Sequence, residues 1–218
     1  MSNSIYIKPE SNYDIFKRNA LKRFLTFNHN KIISRLNLDA DDDYIYITFF
    51  KKLYRIGIQN PVMDYQNPND NSWYEADCNA VMTICDLLCH SEEPIVLSGE
   101  LSTLQGLSTL KSSSTSSTLG DGLFGQREQF INDHIKEMAV ACEAMGGVPV
   151  GKGDLAYSLP LFGDIRLQFS FYEADDEFPA TLTFFLDSYI CKFMHYESLW
   201  YMIGLVLQDL TDYINKQY

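Results

Sequence analysis

Apolar and polar residues alternate with a period of two in two neighbouring stretches near the C-terminal end. Ile165, Leu167, Phe169 and Phe171 alternate with Arg166, Gln168, Ser170 and Tyr172, as in a strand with one buried face. Thr181 to Asp187 repeats the pattern, with Leu182, Phe184 and Leu186 on its apolar side. Joined through the acidic turn 173–180, the two predict an antiparallel pair with Phe171 opposite Leu182, Phe169 opposite Phe184 and Leu167 opposite Leu186. The same register sets Arg166 across from Asp187 and predicts an ion pair there. The period then changes: Leu199, Ile203, Val206, Leu207, Leu210 and Ile214 recur at helical spacing, which predicts a long amphipathic helix covering the sheet. Its richest run stops at Gln208 and Asp209, well short of the roughly 20 apolar residues of a membrane span, so no membrane contact is expected.

Earlier in the chain, Ser11 or Asn12 caps a predicted first helix that continues or restarts through Ile32, Ile33 and Leu36. Tyr44–Phe50 and Leu53–Ile58 predict a hairpin turning at Lys51-Lys52, with Phe49, Ile47 and Ile45 opposite Tyr54, Ile56 and Ile58. Residues 60–75, with Pro61, Pro68 and several Asn and Asp, read as a loop. A helix over Glu75–His90 gathers Cys78, Val81, Met82, Cys85, Leu88 and Cys89 on one face, leaving Asn79, Thr83, Asp86 and His90 opposite. Glu128–Met145 predicts a further helix closed by Gly146-Gly147, and Leu155–Leu159 a short strand. The Ser/Thr-rich stretch 108–122 has the composition of a flexible surface loop. Strand runs joined as neighbours imply a single α+β domain over 1–218, with a mainly antiparallel sheet of about five strands, helices on one face and a long C-terminal helix.

Charge and cysteine content narrow the function classes. The formal net charge is −12 in 218 residues; phosphate backbones repel such a chain, which argues against nucleic acid as a partner. Five cysteines, an odd number, without an apolar leader after Met1, suggest a reducing cytoplasm.

Four groups of residues could carry chemistry. Cys78, Cys85 and Cys89 share a helix face, but ligands spread along a rod do not converge, and the core reading is the simpler one. The glycines of 146–154 suggest a phosphate cradle, yet they follow a helix and precede a strand, the reverse of a P-loop. His134 and His195 have no Ser or Cys nucleophile beside them. The candidate polar site is therefore Asp154, Arg166, Asp175, Asp176, Glu177 and Asp187 around the strand ends, with His195 and Glu197 at the entry to the last helix. Clustered carboxylates bind a hard cation, perform acid–base work or keep a turn solvated; no metal ligand set, cofactor or oligomeric state is assigned.

Gly153-Asp154, Pro160-Leu161, Asp176-Glu177-Phe178-Pro179-Ala180, Phe185-Leu186-Asp187 and Glu197 together resemble the C-terminal signature of a bacterial and archaeal domain-of-unknown-function family, over roughly residues 140–210. The resemblance implies no activity. Some members stand beside iron–sulfur domains, which would imply a redox or corrinoid context, but this chain lacks a C-x₂-C-x₂-C run. The expectation is a non-catalytic cytoplasmic module that binds a partner protein or small ligand, with Tyr172 and Phe185 on its contact face. The alternative is a metal-assisted enzyme using Asp154, Asp175, Asp176 and Asp187.

Overall fold

In the computed structural model, residues 11–90, 93–108 and 127–217 are described; from 109 onward the Ser/Thr-rich stretch lies outside them. Helix α1 (Asn12–Phe24) begins at a capping box in which Ser11 Oγ accepts from the Asp14 amide and the Asp14 carboxylate accepts from the Ser11 amide. The chain restarts as α2 (His29–Leu36), capped by Asn28 and stopped by Asn37 in the left-handed region at φ 50°.

Strands β1 (Asp39–Ala40), β2 (Tyr44–Phe49), β3 (Lys52–Gly57), β4 (Met63–Gln66) and β5 (Trp73–Glu75) then form an antiparallel meander in sequence order. Two expectations are corrected here. Residues 60–75 carry a hairpin, which the surrounding Pro, Asn and Asp hid. The β2–β3 turn is Phe50-Lys51, so Ile47 faces Tyr54 and Ile45 faces Ile56, two residues from the expected register and on the same face. Both turn residues have positive φ, 44° and 61°, as a type I′ turn requires. An aromatic residue is costly in that region; burial of the Phe50 ring and a 2.8 Å bond from its N–H to the Leu161 carbonyl offset the cost.

Helix α3 (Cys78–Cys89) starts at Asp77, whose carboxylate accepts from the Ala80 amide. It is buried around more of its circumference than the sequence predicts, because α1 and the last helix both pack on it. Helical residues 127–133 turn at His134 into α4 (Ile135–Ala144), which Gly146 and Gly147 close with N–H groups returned to Glu143 and Cys142.

The second sheet runs β6 (Leu101–Thr103), β10 (Thr181–Asp187), β9 (Ile165–Tyr172), β8 (Leu155–Phe162), β7 (Val148–Pro149) in spatial order, all antiparallel. Phe171 faces Leu182 and Phe169 faces Phe184, as the alternation predicts. The ladder ends at Gln168–Phe185, and beyond it β10 pairs with β6, placing Asp187 opposite Leu101. The expected Arg166–Asp187 ion pair is therefore absent: Arg166 turns to β8 and donates to Ser158 Oγ and the Ser158 carbonyl, both at 2.8 Å. The class is α+β with antiparallel sheets, and the strands divide into two sheets of five. Helix α5 (Tyr196–Gln217) buries Leu199, Met202, Ile203, Leu205, Val206, Leu207, Leu210 and Ile214 in the common core, each such side chain contributing about 1.5–3 kcal/mol. Among the described residues no helix is long and apolar enough to cross a membrane.

Candidate functional site

The alternation that buries Ile45, Ile47, Tyr54, Ile56 and Met63 forces their neighbours onto the opposite face of the first sheet. That face gathers Tyr44 and Tyr46 from β2, Arg55 from β3, Asp64 from β4 and Trp73 from β5, all half-buried. The Arg55 guanidinium lies 4.4 Å from the Tyr44 ring centroid and 4.4 Å from that of Trp73, and its Nε donates to Asp64 at 2.9 Å. A planar cation held by two rings and a carboxylate has few other orientations, so the four strands present a stiff aromatic shelf. Tyr46 extends it, 6.3 Å from Trp73, and donates its hydroxyl to Asp41 at 2.6 Å. That bond, with the Asp43 and Tyr44 amides, holds the Asp41 carboxyl below the usual carboxylate range, and it pushes the Tyr46 phenol up. Beside the shelf lies an open groove of about 540 Å³, where Tyr46, Thr48 and Leu53 meet Pro160 and Phe162 of the second sheet. The sequence reading missed Asp64 and Trp73 because β4 and β5 are short, and the role of Arg55 on β3 because these partners lie on them; the signal was the alternation in Met63-Asp64-Tyr65 and Trp73-Tyr74-Glu75.

The carboxylates singled out from the sequence fall at two places. Asp154 accepts from the Glu173 amide at 2.8 Å, and Asp175 from the Glu177 and Phe178 amides at 2.8 and 2.7 Å, in an exposed turn with Asp176 and Glu177. Asp187 lies at the far end of β10, roughly 20 Å away at a strand's 3.3 Å per residue. It accepts from the amides of Ser98, Gly99 and Tyr189 and from Ser98 Oγ, all within 2.8–3.0 Å. Burial pushes its carboxyl up, but these bonds prevail and hold it below the ordinary value. Arg166 is exposed on β9, and Tyr172 is exposed while Phe185 is half-buried.

His195, also singled out, meets two residues that were not: its Nδ1 is 2.6 Å from Asp86 Oδ1 and its ring 3.9 Å from that of His90. Glu197 is exposed in the first turn of α5. The cysteines of α3 divide, Cys85 buried and Cys78 and Cys89 half-buried; burial pushes all three thiols up, Cys89 to about 12. Such thiols are protonated at neutral pH and poor nucleophiles.

Comparison with curated proteins and with solved structures gives no match. A family model described as a domain of unknown function (DUF3786) matches residues 28–209, which span both sheets, the aromatic shelf and the Asp86–His195 contact as well as the C-terminal motifs. The chain belongs to the DUF3786 domain-of-unknown-function family.

Proposed function

We propose that this chain is a non-catalytic cytoplasmic module that binds a Lys/Arg-rich segment of a partner protein on the outer face of its first sheet. The observation that carries the reading is the Arg55 guanidinium stacked between Tyr44 and Trp73, which presents the residue types that dominate binding hot spots in a pre-ordered array. The sign of the partner follows from charge: the exposed run Asp39, Asp41, Asp42 and Asp43 borders the shelf on a chain of net charge −12, and aromatic faces attract cations. Five free cysteines suit a reducing compartment. The metal-assisted alternative has less support, since Asp154, Asp175 and Asp187 already accept backbone amides and Asp187 stands a strand's length from the others.

Calorimetric titration of the full chain with a Lys/Arg-rich peptide should give saturable binding that weakens with salt. Tyr46→Ala and Trp73→Ala should each weaken it at least about tenfold, as loss of a hot-spot side chain does, while Tyr172→Ala on the second sheet leaves it unchanged. Absence of binding, or equal weakening by all three variants, overturns the reading.

A further inference from the structure

Helix α3 ends where α5 begins, and three ligand-type side chains meet there. Asp86 in the last turn of α3 and His90 at its C-cap stand one turn apart, at the i and i+4 positions that share a face. His195 precedes the first turn of α5; its backbone N–H donates to Asp86 Oδ2 at 2.7 Å and its Nδ1 is 2.6 Å from Oδ1. The imidazoles of His90 and His195 meet edge to face at 3.9 Å. One ligand atom from each of the three lies within 4.8 Å of the other two, and among the described residues no other group of His, Cys, Asp and Glu converges this way.

From this convergence we propose that Asp86, His90 and His195 form a binding site for a divalent first-row transition ion of the zinc type. Two imidazoles and one carboxylate are a ligand set zinc uses, with bonds near 2.0–2.2 Å, which puts neighbouring donor atoms of a tetrahedral site roughly 3.3 Å apart. To reach that spacing the Asp86–His195 pair, now hydrogen-bonded at 2.6 Å, opens by roughly 0.7 Å as Nδ1 gives up its proton, and the widest pair draws in by at most about 1.5 Å. Asp86 is the more enclosed member, its side chain 12% exposed, and His195 at 44% is the more accessible. Two imidazoles select against magnesium and calcium, which take oxygen ligands. With three protein ligands and an exposed His195, a water or a ligand from outside would complete a tetrahedral ion.

A purely structural account covers Asp86 and His195, since the carboxylate holds the entry of α5 through one amide and one ring nitrogen. That account gives no task to His90, whose ring is brought against His195 from the end of the other helix. The metal reading uses all three, and it stands independently of the shelf on the first sheet.

The test is titration of the chelator-treated full chain with Zn²⁺ against a chromophoric competitor, with Co²⁺ as a spectroscopic probe. One equivalent of zinc should bind, Co²⁺ should give the absorption of a nitrogen- and oxygen-ligated tetrahedral ion, and Mg²⁺ and Ca²⁺ should not compete. His90→Ala and His195→Ala should each weaken zinc by more than about 100-fold, beyond the 10- to 100-fold loss typical of residues that only orient a ligand. His90→Asn, which keeps a polar side chain and the backbone C-cap bond to the Asp86 carbonyl, guards against misfolding and should lose zinc equally with an unchanged melting curve of the metal-free protein. No zinc binding, or binding that survives both histidine variants and falls instead with Cys85→Ser and Cys89→Ser, overturns the proposal.

Discussion

Asp187 at the end of β10 and Asp209 on α5 are exposed to almost the same small extent, 9% and 7%, yet their carboxyls shift in opposite directions. Burial pushes both up. At Asp187 three amides and a hydroxyl point at the charge and outweigh it. At Asp209 a single cation, Lys52 Nζ at 2.5 Å from Oδ1, only partly compensates; Oδ2 is buried without a hydrogen bond, and Asp77 and Asp212 add repulsion. Equal surface exposure therefore does not fix the direction: Asp209 lies deeper with one of its oxygens unpartnered, whereas Asp187 lies nearer the surface with four donors aimed at its charge.

The largest expected effect breaks the weaker arrangement. Lys52→Met strands the Asp209 charge and should destabilise the fold by about 3 kcal/mol at neutral pH, the low end for loss of one partner of a buried pair, because the carboxyl can escape by taking a proton. A carboxyl raised above its ordinary 3.8 favours folding below that value and loses the contribution as pH rises through the folded value. The Lys52→Met deficit should accordingly shrink as pH falls, and adding Asp209→Leu should recover most of it at pH 7. A deficit independent of pH would assign the loss to the packing of Lys52 over the Tyr65 ring instead.

Asp187→Ala comes next. It leaves the Ser98, Gly99 and Tyr189 amides without their acceptor and should cost about 2 kcal/mol by denaturant unfolding. The sign with pH is the reverse: a depressed carboxyl contributes above its unfolded value of 3.8 and loses that contribution as pH falls through the lower folded one. Wild type and variant should converge in strong acid; a constant gap would locate the stabilisation elsewhere. Asp175→Ala, which removes an exposed acceptor for two turn amides, should cost about 0.5–1 kcal/mol. The smallest effect belongs to Arg166→Ala, within about 0.5 kcal/mol for an exposed side chain. In a double-mutant cycle Arg166 and Asp187 should couple by less than about 0.3 kcal/mol, since each has other partners; a larger coupling would mean that β10 stays paired with β9 to its end.

The parts legible from the sequence were those in which one element's periodicity decides the outcome. The β9–β10 register, the cap at Ser11 (one of two positions the sequence offered), the glycine stop after α4 and the apolar stripe of α5 each follow from residues close in the chain. What escaped was set by contacts between distant segments. The β2–β3 turn is chosen by the burial of Phe50 against the second sheet, which overrides the poor fit of an aromatic to positive φ. Asp187 is claimed by residues 98–99, some 88 positions away in sequence, so no strand register could reveal its partners. The shelf and the Asp86–His195 contact likewise need residues from elements whose packing periodicity does not report. Only the i, i+4 placement of Asp86 and His90 on the polar side of α3 pointed that way.

The β2–β3 turn also carries a consequence for how the molecule opens. Leu161 is skipped where the β8–β9 ladder shifts between Pro160 and Phe162, and its carbonyl accepts the Phe50 amide proton. Hairpin-turn amides ordinarily face water and trade their protons for deuterium quickly. This one is tied across both sheets beneath a fully buried ring, so its exchange requires the sheets to part, and its rate is a clock for that event. Deuterium uptake at Phe50 in step with the slowest amides of β3 and β9 would identify the two sheets as one cooperative unit, whereas uptake ahead of them would resolve a state in which each sheet is intact and the seam between them is open.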